Sequence, residues 1–168
     1  MVWLMKKVLI YTDGSSRGNP GPGGFGALLL NVEHRKEISG GFRKTTNNRM
    51  ELMAVIVALE SLKVPCEVEV RSDSRYVINA MDKGWMGGWR LRGWSKADKK
   101  PLKNVDLWKR LYIAIQPHEL NWTWVKGHAG NQYNERCDYL ATSAAEGENL
   151  PIDGGFLQEG DEPDLFNV

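Results

Sequence analysis

The chain has 168 residues, enough for one domain with a sizeable core, and its 42% hydrophobic and 26% charged composition is ordinary for a soluble globular protein. No apolar run is long enough to span a bilayer, the N-terminus lacks the order of a secretory signal, and two cysteines, Cys66 and Cys137, are too few for a disulfide framework or a zinc cluster. A reduced, cytoplasmic, monomeric protein without a membrane partner is expected. The net charge of +1 hides an asymmetry, because residues 146–168 hold seven acids and no Lys or Arg, which leaves 22 bases against 14 acids before them. A basic body suits a polyanionic partner, though it also suits a plain solvated surface.

Residues 7–12 are rich in Val, Ile and Tyr and predict a strand, followed by a Gly/Pro-rich loop over 14–24 and two further strands over 25–32 and 37–43. A helix is expected over 48–62, apolar around most of its circumference and therefore buried on several sides. Asn48 and Glu51 have the spacing of a capping box. A short strand (67–73) and a short helix (74–84) come next, then an irregular basic stretch (85–103). The order closes with a helix (104–115), a strand (120–126) and a last helix (131–146), after which the pattern stops. Three strands followed by alternating helices and strands predict an α/β fold, a five-stranded mixed sheet flanked by helices. The domain is placed at 1–147 and an acidic tail at 148–168.

The letters "GPGGFG" match a dinucleotide fingerprint, but that motif must open a helix and here it leads into "ALLL", another strand. The acids carry more. Asp13 and Asp73 each end a predicted strand, Glu51 opens the long helix and Asp138 lies early in the last one. Singly each has an ordinary reading, as a turn residue, a cap or an exposed helix position. Together they suggest a shared rim, since adjacent parallel strands would bring Asp13 and Asp73 close and clustered carboxylates need a cation. Oxygen-only ligation points to Mg²⁺ or Mn²⁺, and carboxylate-bound divalent ions serve phosphoryl chemistry. His128, between two glycines before the last helix, offers an imidazole for proton transfer.

Residues 83–110 contain nine bases and two acids with Trp85, Trp89, Trp94 and Trp108 interleaved. Such a segment suits phosphates and bases, while some of its rings must anchor it to the core. Trp89 is expected to be structural, and Trp85 and Trp108 to face nucleic acid.

The stretches "YTDGSSRGNPGPGG", "TTNNRMELMAVIVALE", "SDSRYV", "RGWSKADKKPLKNVDLW" and "WVKGHAGNQYNERCD" together resemble the bacterial type 1 ribonuclease H family over roughly residues 6–146. The resemblance implies a ribonuclease H-like fold and an endonuclease that cuts the RNA strand of an RNA–DNA hybrid, leaving 5′-phosphate and 3′-hydroxyl ends. It implies two Mg²⁺ ions, with Mn²⁺ able to substitute, on Asp13, Glu51, Asp73 and Asp138, with His128 as the catalytic loop histidine. For the substrate it implies Gly14 and Asn19 against the RNA backbone, and Thr46, Asn47 and Asn48 at the minor groove and phosphates. Asn104 matches a phosphate-pocket residue acting with Thr46 and a nearby base. Lys44 stands where an Arg often completes that pocket, and Arg75 where a Gln often contacts RNA. The basic stretch, about 83–103, matches the family's protruding handle, with Lys99 and Lys100 as binding residues. Two competing readings stay open, a proofreading-type exonuclease or junction resolvase on the same fold and a catalytically silent nucleic-acid binding module. The end of the tail, "QEGDEPDLFNV", faintly resembles short motifs that dock sliding clamps, against the plainer reading of an unstructured end.

Overall fold

The computed structural model of the protein describes residues 4–160. Strands β1 (Lys6–Ser16), β2 (Gly21–Leu30), β3 (Arg35–Thr45), β4 (Cys66–Ser72) and β5 (Glu119–Trp124) form one sheet in the order β3-β2-β1-β4-β5. The helices are α1 (Asn47–Glu60), α2 (Arg75–Asp82), α3 (Trp85–Leu91), α4 (Val105–Ile115), α5 (Gln132–Ala145) and α6 (Gly154–Gly160). β1, β2 and β3 pair antiparallel, and β4 and β5 run parallel to β1. This is the expected mixed α/β sheet with helices.

Side-chain alternation along β1 divides the core between two faces. Val8 and Ile10 join the large cluster built around α1, with Leu52, Ile56 and Leu59. Tyr11 joins Leu28 and the buried Cys137 of α5 in a smaller cluster on the other face. α1 buries ten of its 14 residues, which is why its sequence shows no single apolar stripe. Its cap is Thr46, whose hydroxyl accepts from Arg49 N, so Asn48 and Glu51 do not form the expected capping box and Glu51 is free for other work.

Three stretches differ from the sequence reading. The Gly/Pro-rich segment 14–24 is mostly strand, because β1 continues to Ser16 by pairing with β2, Ser16 opposite Gly23. Its glycines serve packing, since a Cβ on Gly24 or Gly26 would collide with the α5 backbone at Ala141 and Cys137. The stretch 85–103, expected to be irregular, opens with α3, whose Trp89 packs edge-on against Trp108 with ring centroids 5.0 Å apart. Beyond residue 147, where the pattern was expected to stop, the chain adds α6. The Arg43 N–H donates to the Pro151 carbonyl at 2.8 Å, and Asp153 is buried against the domain. The clamp-motif resemblance, centred on Asp164, Leu165 and Phe166, lies outside the described residues. Among the described residues no helix is long and apolar enough to cross a membrane.

Candidate nuclease site

Asp13 does not end its strand, as the sequence suggested, but sits within β1, opposite Gly26 of β2. What ends there is the parallel ladder, whose last pair is Thr12 with Ser72. Asp73 follows β4 directly, so both carboxylates stand where β1 loses its β4 neighbour and the sheet opens to a rim. Asp13 shares the side-chain parity of Leu9 and Tyr11, the face covered by α5, from which Asp138 approaches. Glu51 reaches the same point from α1. The approach is close because residue 14 is glycine, where any Cβ would strike the α1 backbone at Met50 and Glu51. Gly14 thus has a packing role that the sequence reading, which placed it at the RNA backbone, did not foresee.

The result is a cluster in which Asp13, Glu51 and Asp73 each offer an oxygen within 4.8 Å of the others. Asp138 faces the same cleft, lined by Thr12, Asp13, Asp73, Gly127, His128, Asn134 and Glu135. His128 lies on its exposed lip, in a left-handed backbone conformation (φ 54°). Burial, reinforced by the Asp73 charge, lifts the Asp13 carboxyl from 3.8 to about 7. Burial and the neighbouring Asp13 and Asp73 push Glu51 far above its ordinary value, and burial raises Asp73 as well. Oε2 of Glu51 is buried without a hydrogen-bond partner.

These features fit a divalent cation of the Mg²⁺ or Mn²⁺ kind. The donors are hard oxygens, they repel one another, and one is buried with nothing to satisfy it. Among the described residues no neighbouring Lys or Arg neutralises them. The sequence reading missed Asn134, whose Nδ2 is buried without an acceptor beside this cleft, and Thr12, whose hydroxyl is likewise unpartnered. Neither carried a signal, since an Asn in a helix and a Thr in a strand are commonplace.

The expected substrate residues fall into two groups around the rim. Asn19 Oδ1 accepts from Asn47 N at 3.1 Å, tying the β1–β2 connection to the start of α1. Beside it a groove of about 450 Å³ is lined by Asn19, Pro20, Thr46, Asn48, Leu102, Lys103, Asn104 and Phe156. Lys44 Nζ lies 5.8 Å from the centre of the Phe156 ring. On the other side Arg75 stacks on Trp124, its guanidinium carbon 3.9 Å from the ring centre, and Trp124 Nε1 donates to the Asp73 carbonyl. Trp85 is 45% exposed, and Lys99 and Lys100 are exposed on the loop beyond α3. Trp108 is the clear correction. It is fully buried in α4, and its Nε1 donates to Tyr76 Oη, so it cannot touch a substrate. Its spacing from Leu107 and Leu111 on an amphipathic helix carried that information, overridden by the basic residues around it.

The chain is similar to known proteins over most of its length. The family model described as RNase H matches residues 5–146. A Ribonuclease H of Shewanella amazonensis is 55% identical over 152 residues, covering 90% of this chain and 97% of its own. One of Serratia proteamaculans is 59% identical over 142 residues, covering 84% and 91%. Among solved structures, LC9-RNase H1, a type 1 RNase H with the type 2 active-site motif, superposes with a TM-score of 0.79 at 30% identity, covering 96% of this chain and 84% of that one. LC11-RNase H1 in complex with an RNA/DNA hybrid gives 0.63 at 29% identity, covering 83% and 96%.

Proposed function

Because the chain belongs to the ribonuclease H family, we propose that it is a metal-dependent endonuclease hydrolysing the RNA strand of RNA–DNA hybrids to 5′-phosphate and 3′-hydroxyl ends. The observation that carries the reading is the meeting of Asp13, Glu51 and Asp73 within 4.8 Å, with Glu51 Oε2 buried and unpartnered. Four carboxylates, Asp13, Glu51, Asp73 and Asp138, would hold two divalent ions, Mg²⁺ or in its place Mn²⁺. When bound, such ions lower the pKa of water and neutralise charge on the departing oxygen.

The chain's own residues do the rest. Asp13, paired with β2 at Gly26 and one residue past the end of the β4 ladder, holds its oxygens where strand rigidity puts them. Glu51 faces the 2′-hydroxyl side of the cleaved strand, where RNA differs from DNA. His128, exposed on the lip, shuttles a proton or helps product leave. Gly14, Asn19, Asn47 and Asn48 line the backbone and minor groove, and Lys44, Thr46 and Asn104 grip a phosphate. Arg75, held flat on Trp124, supplies a cation on the RNA side. Trp85, Lys99 and Lys100 hold the hybrid by stacking and charge, so base sequence matters little.

The test is cleavage of RNA–DNA, RNA–RNA and DNA–DNA duplexes blocked at both ends, with and without EDTA. Internal cuts in the RNA of the hybrid alone, lost in EDTA, are expected. No cutting of blocked hybrid despite binding would leave a silent binding module, and cutting only of unblocked ends would make the protein an exonuclease.

A further inference from the structure

The segment beyond the family match, which ends at residue 146, is built into the groove beside Thr46 and Asn104. Asp153 is 6% exposed although it belongs to the acidic end of the chain. It accepts from Arg49 Nε at 2.7 Å and Nη2 at 2.9 Å, and from the Thr45 hydroxyl at 2.7 Å. Arg49, 1% exposed, spends its other face on Asp106, with Nη1 and Nη2 donating at 2.8 and 2.7 Å. The same Nη1 lies 3.4 Å from Asn104 Oδ1, and Asn104 Nδ2 donates to Tyr76 Oη at 2.9 Å.

The chemistry of this chain of contacts sets a direction. A guanidinium has donors only, so the amide oxygen of Asn104 must face Arg49 and its NH₂ must face away. NH₂ is the end a phosphate needs. Without Asp153, Arg49 would keep one carboxylate instead of two, and its rotamer would no longer be determined from both sides. Asn104 is itself in a left-handed backbone conformation (φ 61°), which asparagine adopts more readily than other non-glycine residues. The segment also crosses closely over the ion pairs, because a Cβ on Gly155 would collide with the Asp106 carboxylate and the Arg49 guanidinium. The next residue, Phe156, forms a wall of the groove and underlies Lys44.

We propose that residues 151–157 are a working part of the phosphate pocket: Asp153 acts through Arg49 as a positioning residue for the Asn104 amide, and Phe156 seats Lys44. This rests on the reading of Lys44, Thr46 and Asn104 as a phosphate grip, and the experiment separates the two. KM and kcat are measured for the full chain and for Asp153→Asn, Phe156→Ala and Asn104→Ala, well below each melting temperature. The substrates are hybrids carrying a single uncharged methylphosphonate walked along each strand in turn.

For the wild type, neutralising one particular phosphate raises KM about tenfold, the worth of a hydrogen bond to a charged group. Asp153→Asn raises KM for the unmodified hybrid by a similar factor, leaves kcat within about twofold, and no longer responds to that methylphosphonate. Asn104→Ala abolishes the same response. If Asp153→Asn lowers the melting temperature but keeps the full methylphosphonate penalty, the segment is only a stabiliser and the proposal is overturned, while the pocket stands. If no methylphosphonate position affects the wild type and Asn104→Ala changes nothing, the pocket reading fails and takes the proposal with it. Should Asp153→Asn not fold, Phe156→Ala leaves the ion pairs intact and carries the same comparison, with retention of the full penalty counting against the proposal.

Discussion

Arg49 and Asp153 lie 104 residues apart in sequence, yet the guanidinium meets the carboxylate through two hydrogen bonds in a place almost closed to water. With Asp106 on its other side, Arg49 joins the start of α1, the start of α4 and the chain beyond α5. Buried charges are tolerated only when paired, so this junction holds as a unit or not at all.

Replacing Arg49 by Met should therefore leave two carboxylates facing each other and cost about 3–5 kcal/mol in urea unfolding at neutral pH. The guanidinium also holds the Asp106 carboxyl below its usual 3.8. A depressed acid contributes stability that is present above its unfolded value and lost as the pH falls through the folded one. The stability difference between wild type and Asp106→Asn should accordingly shrink below about pH 3.8, and a difference growing on acidification would contradict the pairing.

Asp13→Asn should abolish metal-dependent cleavage and, in EDTA, make the protein more stable. Asp13 is raised from 3.8 to about 7, so the folded state binds its proton more tightly than the unfolded chain does. The ionised carboxylate then costs stability increasingly as pH climbs between those values, and nothing below the lower one. At pH 7.5 without metal the variant should melt at least about 2–4 °C higher, the equivalent of 1 kcal/mol for a chain of this size. Added Mg²⁺ should narrow the gap by stabilising the wild type. Near-normal turnover by Asp13→Asn would remove the site assignment.

Neutralising Lys99 and Lys100 together should raise KM for the hybrid more than it lowers kcat, because both lie on an exposed loop that does not line the carboxylate cleft. The slope of log KM against log salt should flatten by about one to two, one for each lost phosphate contact. An unchanged KM and slope at moderate salt would exclude that loop as a binding surface.

Trp85 and Trp108 should behave oppositely. Trp108→Ala removes a fully buried ring and should cost about 3–5 kcal/mol of stability, with KM for the hybrid changed little in the folded fraction. Trp85→Ala, at an exposed position, should leave the melting temperature alone and raise KM. Paired melting curves and steady-state kinetics on the two variants check both halves.

Element type was largely readable along the chain, because periodicity reports burial on one face and most elements show it, while α1 and β2, buried on several sides, read as long apolar runs. Boundaries suffered where pairing partners extended an element. β1 runs past Asp13 because β2 continues beside it, although the local Gly-Ser-Ser-Arg-Gly text says turn. Likewise α3 forms from "WMGGWRL", in which two glycines argue against a helix until Trp89 finds Trp108 to pack on.

The linear text alone settled the residue chemistry: four acids beside strands and helix starts, a histidine between glycines, and a basic segment rich in tryptophan, because side-chain type and spacing are local properties. Only the folded chain decided which of these meet. Asp13, Glu51 and Asp73 converge because a parallel ladder stops at Ser72 and because glycine at position 14 lets α1 close on β1. Trp108 turns inward and Asp153 is captured by Arg49 for the same kind of reason. Burial and long-range pairing are fixed by the sum of contacts across the whole core, and no window of sequence contains that sum.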